Sequence, residues 1–207
     1  MKPLLTCIGR TKPVMLIAES AVHAVSCFIR SPFGSVRTRV TRGKRWFWGG
    51  PTTTSIQAGE RPAFDIVRRG ADDDAAIIFT SGSTGTAKGV ASKQAMFAAQ
   101  VESLEQMLGF TPGYSDVQCF AAFAIYDICF GQCAILPKMD LSKPAKANPA
   151  DIAAALRHFE PEAAFASPVV WQNLSRWAMD QGATFPHLEI TITVGAPIPA
   201  YLLRRYE

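Results

Sequence analysis

A chain of 207 residues with 48% hydrophobic content can bury a sizeable core, and its scattered 14 prolines and 15 glycines exclude a collagen-like or low-complexity sequence. The formal charge of +4 is local, because Arg30, Arg37, Arg39, Arg42, Lys44 and Arg45 crowd one stretch while the remainder is close to balance. Five cysteines, odd in number and without paired CxxC spacing, exclude a zinc module or a disulfide scaffold and fit reduced thiols in a cytoplasmic protein.

In chain order, Val14 to Ala18 is an apolar run that predicts a buried strand, and Ser20 offers an N-cap for a helix through Phe28. Glu19 and His23 interrupt the apolar stretch from Val14 to Ile29, so it is not read as a membrane span or a signal segment. No transmembrane segment is expected. Residues 31–74 read as a basic and aromatic loop or hairpin followed by a polar linker, with Gly34, Gly43, Gly49, Gly50 and Pro51 as breakers.

The run Ala75 to Thr80 predicts a second buried strand, opening into the Gly/Ser-rich segment Ser81 to Gly89. A helix should follow directly, capped by Ser92, with Phe97, Val101, Leu104 and Leu108 on one face and Gly109 as its stop. Beyond it the pattern repeats: strand Val117 to Ala121, helix near Ile128 to Cys133, strand Ala134 to Leu136, and a helix opened by Asn148-Pro149 with Ile152, Leu156 and Phe159 on one side. Ala163 to Ala166 predicts a strand, Pro168 a helix carrying Val170, Leu174 and Trp177 and ending at Gly182, Glu189 to Val194 the last strand, and Pro199 to Tyr206 a final helix. Strands alternating with helices imply an α/β layer fold with a largely parallel sheet flanked by helices.

Ser81 to Gly89 concentrates what polyphosphate binding requires: hydroxyls, glycines that let backbone N–H groups approach anionic oxygens, and one lysine for charge. Two familiar motifs do not fit. A P-loop needs Gly-Lys-Ser/Thr adjacent, whereas Ala87 precedes Lys88 and Gly89 follows it. Gly82-Ser83-Thr84-Gly85 does not supply the GxSxG spacing of a nucleophile elbow.

Ile78 to Val90 does resemble the signature phosphate loop of the AMP-forming acyl- and aryl-acid ligases, the superfamily of acyl-CoA synthetases, peptide-synthetase adenylation domains and luciferases. The resemblance implies that Thr80, Ser81, Gly82, Ser83, Thr84, Gly85 and Lys88 hold the β- and γ-phosphates of ATP, with Mg2+, while a substrate carboxylate attacks the α-phosphorus. Val194 to Pro199 resembles the family segment that lies against adenine and the acyl group, which assigns Gly195, Ala196 and Pro197 to the nucleotide. Phe165-Ala166-Ser167-Pro168 resembles the corner lining the acyl pocket. The chain is read as a partial AMP-binding domain over 1–207, an incomplete piece of the adenylate-forming N-terminal domain.

Phe120 to Asp127 lacks the histidine of many acyl-CoA ligases. Together with Ser35 to Gly43 and Arg45 to Gly50, it looks like the β-lactone synthetases of olefin biosynthesis, which implies a long-chain 3-hydroxy fatty acid as substrate and no requirement for CoA. No catalytic residue and no protein-bound metal are assigned. The family's later motifs and its C-terminal domain are not in the sequence, so weak or no turnover by the chain alone is expected. Beside that reading stand a non-catalytic nucleotide- or partner-binding module and a subunit completed by a separate chain. No nucleic-acid partner is expected, since six charges without a groove or a motif do not define one.

Overall fold

The computed structural model describes residues 2–59, 63–80, 87–140 and 143–204. They divide into two compact units, Met1–Phe97 and Ala98–Glu207.

The first unit opens with α1 (Lys2–Thr11), an element whose single apolar stripe was too short to stand out from the sequence. β1 (Met15–Glu19) and β2 (Thr38–Arg42) pair in parallel from Met15↔Thr38 to Glu19↔Arg42, connected by α2 (Ser20–Phe28) and a 3-10 turn at Ser31–Phe33. The expected loop or hairpin over 31–74 therefore contains the second strand of a βαβ unit. Its signal was masked because Thr38, Arg39 and Arg42 are polar, while Val40 and Thr41 carry the burial. Ser20 is not the cap of α2; that position falls on Glu19, and the Ser20 hydroxyl donates instead to the Lys44 carbonyl.

Beneath α2, His23 Nε2 lies 3.0 Å from the Val40 carbonyl, and Trp48 Nε1 donates to Thr41 Oγ1 at 2.8 Å. The His23 and Trp48 rings stack with centroids 5.4 Å apart, so aromatic surface is buried beside these two hydrogen bonds. α3 (Thr53–Ala58) follows with a capping box, Thr52 and Ser55 each accepting the other's backbone N–H at 3.0 Å.

β3 (Asp74–Thr80) and β4 (Lys88–Lys93) form an antiparallel pair. This corrects two expectations. The glycine-rich segment joins two strands rather than a strand and a helix, and Ser92 lies within β4 rather than capping α4 (Gln94–Leu108), whose first N–H donates to the Asp73 carbonyl at 3.0 Å. Nor is β3 buried: Ile77 and Ile78 are half exposed, because an uninterrupted apolar run records that neither face is polar, not that both are covered.

The second unit, which takes α4 from Ala98 onward, holds a four-stranded, all-parallel sheet in the order β6-β5-β7-β8. Its strands are β5 (Ser115–Gln118), β6 (Cys133–Ile135), β7 (Ala163–Ala166) and β8 (Ile190–Thr193). The helices are α5 (Ala124–Cys129), α6 (Pro149–Phe159), α7 (Pro168–Gln181) and α8 (Ala200–Leu203). The α/β reading with a largely parallel sheet holds here.

Ile152 and Leu156 of α6, with Val170, Trp171 and Leu174 of α7, close one core around Val117 and Ala164. Val101, Leu104 and Leu108 of α4 pack toward Phe110, Phe130 and Ala163 in another. Asn148 caps α6, its Oδ1 accepting from Ala150 N at 3.2 Å, and Gly182 ends α7. Phe159 departs from its expected face and is exposed. Among the described residues no helix is long and apolar enough to cross a membrane.

Candidate functional site

Thr80 and Lys88 are register partners that close the β3–β4 ladder, so the two ends of the glycine-rich segment stand opposite each other. Ser81, Gly82, Ser83, Thr84 and Gly85 lie outside the described residues. Lys88 is exposed, and no carboxylate among the described residues pairs with it. Next to it, Gly89 faces Phe79 across the ladder; a Cβ there would come 3.0 Å from both Ile77 Cγ2 and Phe79 Cε1. Glycine at this position lets two large apolar side chains lie over the strand immediately beside the lysine.

In the second unit, Gly195, Ala196 and Pro197 leave the carboxyl end of β8 as an exposed turn, with Gly195 at φ +96°. Ser167 stands just past the end of β7 and Thr193 at the end of β8, the neighbouring strand. Both hydroxyl oxygens are buried without a partner among the described residues. Phe165 stacks on Phe123 at 4.6 Å, and Phe123 contacts Phe120 at 5.4 Å and Tyr126 at 5.8 Å. An aromatic wall and two unclaimed hydroxyls thus meet at the carboxyl edge of the parallel sheet, where α/β proteins place ligands.

A second feature at this edge was not singled out in the sequence. Gln118, the last residue of β5, donates from Nε2 to Asp116 Oδ2 at 3.0 Å and to Asp127 Oδ1 at 3.1 Å, and all three residues are buried. Burial first, and the neighbouring Asp127 charge second, push the Asp116 carboxyl up to about 7. Burial pushes Asp127 up to about 6, against the hydrogen bond from Gln118. Burial pushes the Cys119 thiol up to about 12, with Asp116 adding to it.

Asp127 sits inside α5 as one side of a carboxyl–amide–carboxyl bridge that can hold a proton near neutral pH. Gln132 adds a buried amide with no partner among the described residues. The available signal was period two: Asp116 and Gln118 share one face of β5 while Val117 occupies the other. Cys129 and Cys133, expected on one helix, instead end α5 and begin β6. Among the described residues no group of three His, Cys, Asp or Glu side chains could hold a metal ion.

An α/β body of this kind, carrying the Thr80–Gly89 segment between two strands and a small-residue turn after the last one, belongs to the AMP-binding enzyme family, whose model matches residues 8–207. Among curated relatives, the chain is 35% identical over 200 residues to an olefin beta-lactone synthetase of Xanthomonas campestris pv. campestris. It is 31% identical over 199 residues to an olefin beta-lactone synthetase of Stenotrophomonas maltophilia. In each comparison 96% of this chain is covered but only 35% of the relative, so the chain spans about a third of their length.

Solved structures of adenylate-forming ligases share the fold. The ATP-bound MatB of Rhodopseudomonas palustris superposes with a TM-score of 0.73 at 22% identity, over 98% of this chain and 39% of that one. The N-terminal domain of FACL13 from Mycobacterium tuberculosis gives 0.77 at 18% identity, over 99% and 50%.

Proposed function

We propose that the protein from which this chain is read activates a carboxylic acid with ATP, forming an acyl-adenylate and releasing pyrophosphate. The observation that carries the reading is the antiparallel closure that sets Thr80 opposite an exposed Lys88 at the mouth of a hydroxyl- and glycine-rich segment. An ammonium that no described carboxylate claims, beside residues of that composition, suits a polyphosphate chain. Thr80, Ser81, Gly82, Ser83, Thr84, Gly85 and Lys88 grip the β- and γ-phosphates, and Gly195, Ala196 and Pro197 lie against the nucleotide. Mg2+ bound with the polyphosphate would supply charge neutralisation there, beside the hydroxyls and the Lys88 ammonium.

The acid's carboxylate oxygen forms a bond to the α-phosphorus as the bond from that phosphorus to the bridging oxygen breaks. The residues act by holding the reacting atoms in line and by stabilising charge on the departing pyrophosphate. The two beta-lactone synthetase relatives support a finer reading: the acid is a long-chain 3-hydroxy fatty acid, its chain lying along Phe120, Phe123 and Phe165. The hydroxyl then closes on the activated carbonyl and expels AMP, so CoA is not consumed.

Pyrophosphate exchange into ATP, with a long-chain 3-hydroxy acid as the variable, tests this directly. Exchange that depends on the acid and drops about 100-fold or more in Lys88→Ala supports it. Nucleotide binding without exchange, in the chain and in any longer form of it, would instead indicate a binding module or a subunit that needs a complementing chain.

A further inference from the structure

Between Ser20 and Gly59 the sequence contains no Asp or Glu, yet it carries Arg30, Arg37, Arg39, Arg42, Lys44 and Arg45. Those six cations exceed the +4 of the whole chain, so the rest, with 15 basic and 17 acidic residues, is net −2. The same segment exposes aromatic rings. Phe28 is 81% exposed, Phe47 66% and Trp46 53%, whereas Trp48 is 7% exposed.

Trp48 fixes the others. Its indole N–H is held by Thr41 and its ring by His23, while Trp46 lies 5.6 Å and Phe47 5.2 Å from it, and Phe28 meets Phe47 at 6.3 Å. Gly50 pins the far end of the turn: at φ +99° its backbone runs so close to β2 that a Cβ would fall 2.2 Å from the Arg39 carbonyl oxygen. The outward rings are thus held by a buried anchor, and they present apolar area at little cost in ordering.

Exposed Phe and Trp framed by cations match the boundary between lipid headgroups and acyl chains, where amphipathic rings reside and anionic headgroups attract Lys and Arg. Single-stranded nucleic acid fits less well. Stacking needs open, roughly parallel ring faces, but Phe28–Phe47 and Phe47–Trp48 meet edge to face at 68° and 73°. The Arg42–Glu19 pair, at 3.6 Å and well exposed, is weak enough to be exchanged for a headgroup.

We propose that Phe28, Trp46 and Phe47, framed by Arg42, Lys44 and Arg45, form a docking surface for an anionic lipid bilayer. Flotation of the full chain with vesicles of equal parts phosphatidylcholine and phosphatidylglycerol, against phosphatidylcholine alone, tests it. Binding is expected to the anionic vesicles, weakening about fivefold in Lys44→Gln and again in Arg42→Gln/Lys44→Gln. It should be lost near 1 M salt, where screening acts within about 3 Å. Phe47→Ser should weaken it at all salt concentrations.

Lipids brominated on their acyl chains should quench part of the tryptophan emission of the unaltered chain, a readout that needs no variant to fold. Equal binding to both vesicle types, no binding to either, absence of quenching, or binding to single-stranded RNA that survives Phe47→Ser and outcompetes the vesicles would each overturn the proposal.

Discussion

Gln118 places one amide nitrogen between two carboxyl groups, and the burial of those carboxyls, which outweighs the hydrogen bonds from Gln118, gives the second unit a pH response whose sign is fixed. Both folded values, about 7 for Asp116 and about 6 for Asp127, lie above the ordinary 3.8. The folded protein therefore binds more protons than the unfolded chain between these limits. The contribution to stability is fully present below about pH 4 and is lost as pH rises through 6 and 7. Glu162 works in the other direction and in another window. Its oxygen accepts from Ser115 N at 2.8 Å and from Ser115 Oγ at 3.1 Å, which lowers its value, so its contribution is lost only as pH falls below the carboxylate range. In the unaltered chain the melting temperature should fall from pH 5 to pH 8, where Glu162 stays ionised. Asp127→Asn should flatten that fall, because it removes one ionisation and relieves the other. Thermal melts across the range measure both slopes, and parallel curves would rule the coupling out.

At the scale of elements, the sequence was most readable where chain chemistry forces a boundary. Asn148-Pro149, Pro168 and Gly182 bracket α6 and α7 because a capping side chain, a missing N–H and a left-handed residue leave the backbone little choice. β7 was read at its observed bounds, three alanines and Phe165 in the middle of a parallel sheet. β2 and β4 were not legible. In β2 the polar and cationic side chains outnumber the buried ones, and in β4 Gly89 and Ser92 look like loop and cap until the partner strand is seen. Pairing partners are remote in sequence, and a glycine that accommodates a cross-strand aromatic carries no local mark. Of the candidate site, the loop residues and the Gly195–Pro197 turn are proposed from sequence by resemblance, whereas the Asp116–Gln118–Asp127 bridge depends on α5 folding back toward β5. Gly50 makes the element scale testable. Gly50→Ala should cost about 1–3 kcal/mol, from both the positive φ and the contact with Arg39 O, read as a lower urea midpoint at unchanged m-value.

Across the whole molecule, burial is uneven. The two extended apolar clusters among the described residues both lie in the second unit, built by α4, α6 and α7 against β5, β7 and β8. In the first unit burial centres on His23, Thr41, Val40 and Trp48, while β3 and β4 expose Ile77, Ile78 and Val90. Opening free energies follow buried apolar contact, so native-state hydrogen exchange should be slowest in β5, β7, α6 and α7 and faster in β3 and β4. Equal protection of the β3–β4 ladder and the central strands would show that the hairpin is covered in solution by something the chain itself does not provide.

That ladder also bears on how the glycine-rich segment tolerates change. With Thr80 and Lys88 fixed as facing posts, the seven residues strung between them form a span whose anchor points do not depend on its contents. Under the proposed phosphate-gripping role, substitutions inside the span would retune which anion is held while the posts stay put. Inserting a single residue within β4, by contrast, would force either a bulge or a slip that carries the lysine to the ribbon's reverse side. Diversity among such segments is therefore expected in composition far more than in the strand that follows.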